Sequence, residues 1–310
     1  MEYTRRGLGP LALGAAASVA MSESDAAEAL ANVTDCHVHI IGPQSKYPMV
    51  EKRAYTPPEA SVAQLKAMHA KLGITRTVLV QPSFYGFDNS CMMDALKELG
   101  NNARAVAVVP LTIADAQLRD MDSKGVRGVR LNLETSGNRD PKAARDMLLA
   151  YEKKVAPLNW HIQVYTAISV VQQLVTTIAD MKVPVVLDHY GQPNAAEGYS
   201  RGMAALVDLV HARKVYVKLS APYRVSKAAP DYKDVRPLAQ TLIYNARDRM
   251  LWGSDWPHTA TGIPGKPVTE VTPFQKVDDA GVFNTFKSWY TDPPTQKMIL
   301  VDNAAKLYRF

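Results

Sequence analysis

A chain of 310 residues, 47% of them hydrophobic and only two of them cysteines, is long enough for one large α/β domain and excludes a disulfide framework or a thiolate zinc module. Its formal charge of +6 comes from 36 basic and 30 acidic residues, and the basic ones are scattered, which speaks against a nucleic-acid surface. No segment approaches the roughly 18 consecutive apolar residues of a membrane-spanning helix.

Residues 1–32 differ from the rest. Arg5 and Arg6 precede an apolar stretch from Leu8 to Met21, with Ser18-Val19-Ala20 as a small-residue cleavage site. This resembles a twin-arginine export signal, interrupted by Pro10, and predicts a periplasmic protein. The other reading is a disordered Ala-rich extension on a cytoplasmic one.

From residue 33 onward, short apolar runs alternate with segments of helical period. The first strand is expected over Val33–Ile40 and ends Asp35-Cys36-His37-Val38-His39. His37 and His39 are two apart and so share a face. A helix over Glu59–Leu72 leads to a strand at Thr75–Gln81, followed by Ser83. A helix at Asn89–Leu99, a strand at Ala103–Val109 and a short helix at Ala114–Ser123 come next. The fourth strand, Val126–Leu133, carries Arg127 and Arg130 on opposite faces, with Arg130 the one placed to face a lumen. After a helix at Pro141–Val155, the fifth strand, His161–Thr166, has Tyr165 at its end and His161 at its structural start. A helix at Ser169–Met181 precedes the strand Pro184–His189. Within it, Asp188 reads as a turn or N-cap residue. A helix at Gly202–His211 precedes the strand Val215–Ser220, with Arg224 just beyond. Lys233–Ala246 is helical, and the eighth strand, Arg249–Asp255, ends Gly253-Ser254-Asp255-Trp256-Pro257-His258. Residues 257–272 form a long loop and residues 294–308 a last helix. His69 and His211, on helices, are expected at the surface, and Cys36 and Cys91 in the core.

Eight strand–helix units in series predict a (β/α)8 TIM barrel, a single domain over residues 33–310. The other candidate is an open doubly wound sheet, but no Gly-x-Gly-x-x-Gly follows the first strand. In a barrel the strand C-termini form the catalytic face, and that is where His37, His39, Ser83, Arg130, Tyr165, His189, Arg224 and Asp255 fall. Asp255 is expected to stand exposed at the mouth, able to take a proton from water. Arginines at one mouth suit a carboxylate-bearing ligand.

Together, Asp35-Cys36-His37-Val38-His39, Asp188-His189-Tyr190-Gly191-Gln192-Pro193 and Leu251-Trp252-Gly253-Ser254-Asp255-Trp256-Pro257-His258 resemble the amidohydrolase-2 branch of the amidohydrolase superfamily, and the likeness extends to Asp302-Asn303-Ala304. That resemblance implies a hydrolase that opens a small anionic lactone in aromatic-compound catabolism, of the 2-pyrone-4,6-dicarboxylate or 4-sulfomuconolactone kind. It makes Asp255 the general base and His37, His39 and His189 the groups that polarise the carbonyl. Ser83, Arg130, Tyr165 and Arg224 would then hold the acidic groups, so loss of either arginine is expected mainly to raise KM. The branch's pyrone-opening lactonase carries another arginine after the fourth strand; here the stretch is Glu134-Thr135-Ser136-Gly137-Asn138, with Arg139 nearby, which opens the second anion to a sulfonate. The superfamily it resembles often bridges two metals with a Lys on the fourth strand, and residues 126–133 contain none, so the resemblance implies no binuclear metal site. No cofactor is expected to be required. The alternative is a single divalent metal, Zn or Mn, on His37, His39, His189 and Asp255. Two other activities stay open: a metal-dependent decarboxylase of a small aromatic acid, and a sugar-lactone hydrolase or isomerase. The expected partner is a small anionic lactone, with no nucleic acid and no membrane.

Overall fold

The computed structural model describes residues 31–263 and 265–310. The export-signal expectation therefore falls, except for its last two positions, outside the described residues. Eight strands run β1 Thr34–Val38, β2 Arg76–Val80, β3 Ala103–Ala107, β4 Val126–Asn132, β5 His161–Tyr165, β6 Val185–Leu187, β7 Val215–Ser220 and β8 Met250–Gly253. They pair in sequence order, each parallel to the next. The seam between β8 and β1 closes at its C-terminal end, where His39 N donates to Trp256 O at 2.8 Å and Asp255 N to His37 O at 2.9 Å. The barrel expected from the eight repeats is thus present, and two of its closing hydrogen bonds involve candidate catalytic residues.

Helices α1 Val62–Leu72, α2 Ser90–Leu99, α3 Asp115–Ser123, α4 Pro141–Val155, α5 Ile168–Gln173, α6 Val175–Asp180, α7 Arg201–His211, α8 Val235–Ala246, α9 Asp279–Trp289, α10 Pro293–Lys297 and α11 Asn303–Tyr308 pack around it. Their ends follow local chemistry. Ser61 and Gln64 form a capping box at the start of α1, and left-handed Gly73 ends it. Asp140 caps α4, with Pro141 at its first turn. No helix among the described residues is long and apolar enough to cross a membrane.

Two expectations need correction. The helix read over Ser169–Met181 is two short helices meeting at Leu174, in a run rich in β-branched residues that weakens helix propagation. Helix α9 was not anticipated, although Phe283, Phe286 and Trp289 recur at helical spacing and are buried. Phe283 packs on Trp252 of β8, 4.5 Å between ring centroids.

Inside the barrel, side chains stack in layers. The lowest holds Cys36, Val78, Val106, Val186, Tyr216 and Leu251, plugged from below by Ala304 and Tyr308 of α11. His161 belongs to this layer, stacked edge-on against Tyr308, and lies under Gly128, its register partner on β4. A methyl group on Gly128 would come 2.5 Å from the His161 ring. Gly128→Ala is therefore expected to cost about 1–3 kcal/mol by overpacking, read as a lower Tm.

Burial holds the His161 imidazole far down, at about 3, from an ordinary 6.5. Between those values the unfolded chain binds a proton that the native state does not. Stability is therefore lost as pH falls from 6.5 toward 3, at about 1.4 kcal/mol per pH unit for this group. Tm should drop between pH 7 and pH 4.5, and less steeply in His161→Phe. An equal slope in the variant would remove His161 as a source of acid instability.

Candidate active site

The register of β1 on β2 runs from Asp35↔Thr77 to Val38↔Leu79, three residues against two, which marks a β-bulge. Cys36 fills the lowest layer, and after the bulge His37 and His39 turn into the lumen above it. Asp35 holds the bulge in place: its carboxylate accepts from Ser254 Oγ at 2.5 Å, Ser254 N at 2.9 Å and His37 N at 3.1 Å. His69 on α1, expected at the surface, is buried and lies 3.2 Å from Asp35. It is part of the support for β1.

The ends of β6 and β8 are strained in the same way. His189 and Asp255 both adopt left-handed φ values, 48° and 66°, although neither is glycine. Such strain collects where side chains must be aimed. Here it brings the two together with β1. Asp255 Oδ1 lies 3.5 Å from His37 Nε2, 3.6 Å from His39 Nε2 and 3.9 Å from His189 Nε2. Asp255 is 1% exposed, so it sits in the floor of the site and not openly at the mouth. Its other oxygen accepts from Tyr223 Oη at 2.7 Å and Arg224 Nε at 2.8 Å. Burial pushes its carboxyl up, but Arg224 and the surrounding imidazoles outweigh this and hold it well below the usual carboxylate range.

His37 and His189 are kept neutral. Burial pulls His37 well below its ordinary value, helped by Lys218, and pulls His189 down to about 4. His39 Nδ1 lies 2.7 Å from Val80 O, which can only accept, so Nδ1 carries the hydrogen and Nε2 presents a lone pair toward Asp255. A neutral His39 therefore receives a proton or holds a cation; it cannot donate to a carbonyl oxygen. His189 Nδ1 is anchored by Ser220 Oγ at 2.9 Å.

Beneath the cluster lies a second polar layer. Asp188, taken as a turn residue, is buried at the centre. Its Oδ2 accepts from Arg130 Nε and Nη2 at 3.2 and 3.0 Å and from Gln163 Nε2 at 3.1 Å. Lys218 of β7 donates to Gln163 Oε1 at 2.6 Å and lies 3.3 Å from His37 Nδ1. Burial lowers its ammonium to about 8. Burial opposes the charge of Asp188, yet contacts with His37, Arg130 and Lys218 hold its carboxyl well below its ordinary value. Gln163 and Lys218 stand at period two with Tyr165 and Ser220, and one polar residue inside each apolar strand was the available signal. Tyr223, whose hydroxyl also lies 3.1 Å from His258 Nδ1, sits in a turn that no periodicity marks.

Above the floor opens a cavity of about 450 Å³ lined by His39, Ser83, Arg130, Tyr165, His189, Arg224 and Asp255. Of the eight residues singled out from sequence, His37 alone lies beneath the lining, fully buried. Glu134 and Thr135 also line the cavity, whereas Arg139 does not: it pairs with Glu134 at 2.9 Å. Lys227, after β7, adds a cation at the exposed rim. Arg127 faces outward, against Asp122 at 3.2 Å.

The donor set suits a single divalent cation. His37, His189 and Asp255 offer ligand atoms within 4.8 Å of one another, His39 adds a lone pair, and His37 Nε2 and Asp255 Oδ1 are buried polar atoms without hydrogen-bond partners.

A family model described as amidohydrolase matches residues 34–310. A 2-pyrone-4,6-dicarboxylate hydrolase of Comamonas testosteroni is 34% identical, over 90% of both chains. A 4-sulfomuconolactone hydrolase of Hydrogenophaga intermedia is 31% identical, over 88% of both. The crystal structure of a probable 2-pyrone-4,6-dicarboxylic acid hydrolase from Acinetobacter baumannii, with citric acid bound, superposes with a TM-score of 0.73 at 25% identity, covering 90% of this chain and all (100%) of that one.

Proposed function

The chain belongs to the amidohydrolase family, and from that premise we propose that it is a hydrolase that opens a small anionic lactone by attack of water on the carbonyl. The observation that carries the reading is the convergence of three imidazoles on one oxygen of a buried, ionised Asp255, at the foot of a cavity lined by Arg130, Arg224 and Lys227. Likeness to the two lactone hydrolases supports the same reaction type.

In the proposed reaction a water held by Asp255 Oδ1 and His39 Nε2 adds to the lactone carbonyl. Its proton passes to Asp255 as the new carbon–oxygen bond forms. His37 and His189 stabilise the charge that develops on the carbonyl oxygen. The ring carbon–oxygen bond then breaks, and Asp255 returns the proton to the leaving oxygen, giving an open-chain acid. Arg224 links binding to chemistry, because its Nε already holds Asp255. A substrate carboxylate that shares this guanidinium loosens its grip on Asp255 and makes the base stronger. Were a divalent cation bound, His37, His39, His189 and Asp255 would hold it, and it would supply Lewis-acid polarisation of the carbonyl.

Hydrolysis of 2-pyrone-4,6-dicarboxylate, 4-sulfomuconolactone and a neutral sugar lactone, each with and without a chelator, tests the assignment. Turnover confined to the acidic lactones is the expected result, and no turnover of any lactone overturns it. The rim cation should act on binding alone. Lys227→Ala is expected to raise KM for an acidic lactone about fivefold, the size of ~1 kcal/mol, with kcat unchanged. An equal KM in the variant would remove Lys227 from the binding site.

A further inference from the structure

Lys218 lies in the middle of β7, fully buried beneath the histidine cluster and outside the cavity lining. A cation in that place needs a reason, since removing an ammonium from water is costly. Three acceptors surround its three hydrogens: Gln163 Oε1 at 2.6 Å, His37 Nδ1 at 3.3 Å and Asp188 Oδ1 at 3.8 Å. An ammonium has no lone pair, so in its contact with Lys218 the imidazole nitrogen must accept. Among the described residues Asp188 is the other group that could claim His37 Nδ1, from 3.3 Å, and it would require the opposite tautomer. Yet that contact, though close, lacks the alignment of a ring N–H donating to Oδ1, while Oδ2 is occupied by Arg130 and Gln163. The geometry therefore favours Lys218 as the partner of Nδ1. The hydrogen of a neutral His37 then sits on Nε2, the buried, partnerless nitrogen that faces Asp255 across 3.5 Å.

We propose that Lys218 is a positioning residue that fixes His37 as the Nε2–H tautomer, so that His37 offers the reaction centre a hydrogen-bond donor and not a lone pair. Two consequences follow. His37 becomes the donor to the oxygen that gains charge, complementing His39, whose Nε2 accepts; this part rests on the lactonase reading. Independently of that reading, Lys218 works against cation binding, because it keeps a proton on one of the four candidate ligands and places a positive charge behind it. The choice between a donor site and a metal site thus lies with a residue that touches neither substrate nor metal.

The test uses the full chain, labelled with 15N-histidine and freed of metal by a chelator. A long-range 1H–15N spectrum, with the His37 signals assigned by their loss in His37→Asn, is expected to show Nε2 protonated and Nδ1 bare. The reverse tautomer overturns the proposal. Zinc affinity gives a second reading. Lys218→Met should bind Zn²⁺ about tenfold or more tighter than wild type in competition with a chromogenic chelator; an unchanged affinity also overturns it. Should Lys218→Met fail to fold by circular dichroism, the wild-type spectrum still decides. On an acidic lactone the folded variant should lose kcat with KM nearly unchanged. Absence of lactone turnover in wild type would sink the lactonase reading while leaving the tautomer and zinc results to stand or fall alone.

Discussion

Asp255→Asn is expected to lower kcat on an acidic lactone by about 10³-fold, within the span typical of a lost general base, while KM stays within about a factor of three. The substitution keeps size and shape. Asn also tolerates the left-handed φ of 66° that Asp255 adopts. Its amide oxygen can still accept from Tyr223 and Arg224, which hold Oδ2 of the native residue at 2.7 and 2.8 Å. What disappears is the capacity to take the proton of the attacking water. His37 and His189 remain and would stabilise the oxyanion without the base, so some activity should persist. Steady-state kinetics with a melting curve of the variant separate the cases. A kcat within tenfold of wild type, in a protein that melts normally, would remove Asp255 as the base.

Arg130→Met is expected to destabilise the protein by about 3–5 kcal/mol, the cost of breaking a buried ion pair from one side. From sequence alone, loss of Arg130 was expected mainly to raise KM. The structure gives it a second task, because Nε and Nη2 both serve Asp188, which is 1% exposed. Without Arg130 the Asp188 charge keeps Gln163 and the more distant Lys218 as its supports. Adding Asp188→Asn should then recover part of the lost stability, since the unpaired charge is gone, although activity should not return. Urea unfolding of the two single variants and the double variant measures this coupling. If Arg130→Met melted within about 2 °C of wild type and changed only KM, Arg130 would be a substrate anchor and nothing more.

Much of the site was legible because barrel strands deliver their C-terminal residues to one face. Strand ends alone place His37, His39, Ser83, Arg130, Tyr165, His189, Arg224 and Asp255 there, and all of these eight but His37 line one cavity. The pairing of roles was not legible. Arg130 and Arg224 looked equivalent, but one is committed to Asp188 beneath the site and the other to Asp255 within it. His37 and His39 looked equivalent too, yet Val80 O and Lys218 give their Nδ1 atoms opposite parts. Such differences depend on partners 41 and 181 residues away, which no local pattern records.

By itself the sequence determined the barrel, through eight apolar runs alternating with helical periods, and the identity of its catalytic face, because parallel strands all end on the same side. It also contained the layering, as His161, Gln163 and Tyr165 on β5 and Tyr216, Lys218 and Ser220 on β7 step inward at period two. Only the tertiary structure decided which of these polar residues meet. The bulge in β1, the left-handed turns at His189 and Asp255 and the seam between β8 and β1 set those distances. In a lumen where water is scarce, a buried charge is tolerable only beside its partner, so the position of each partner settles whether a side chain acts as base, donor, anchor or support.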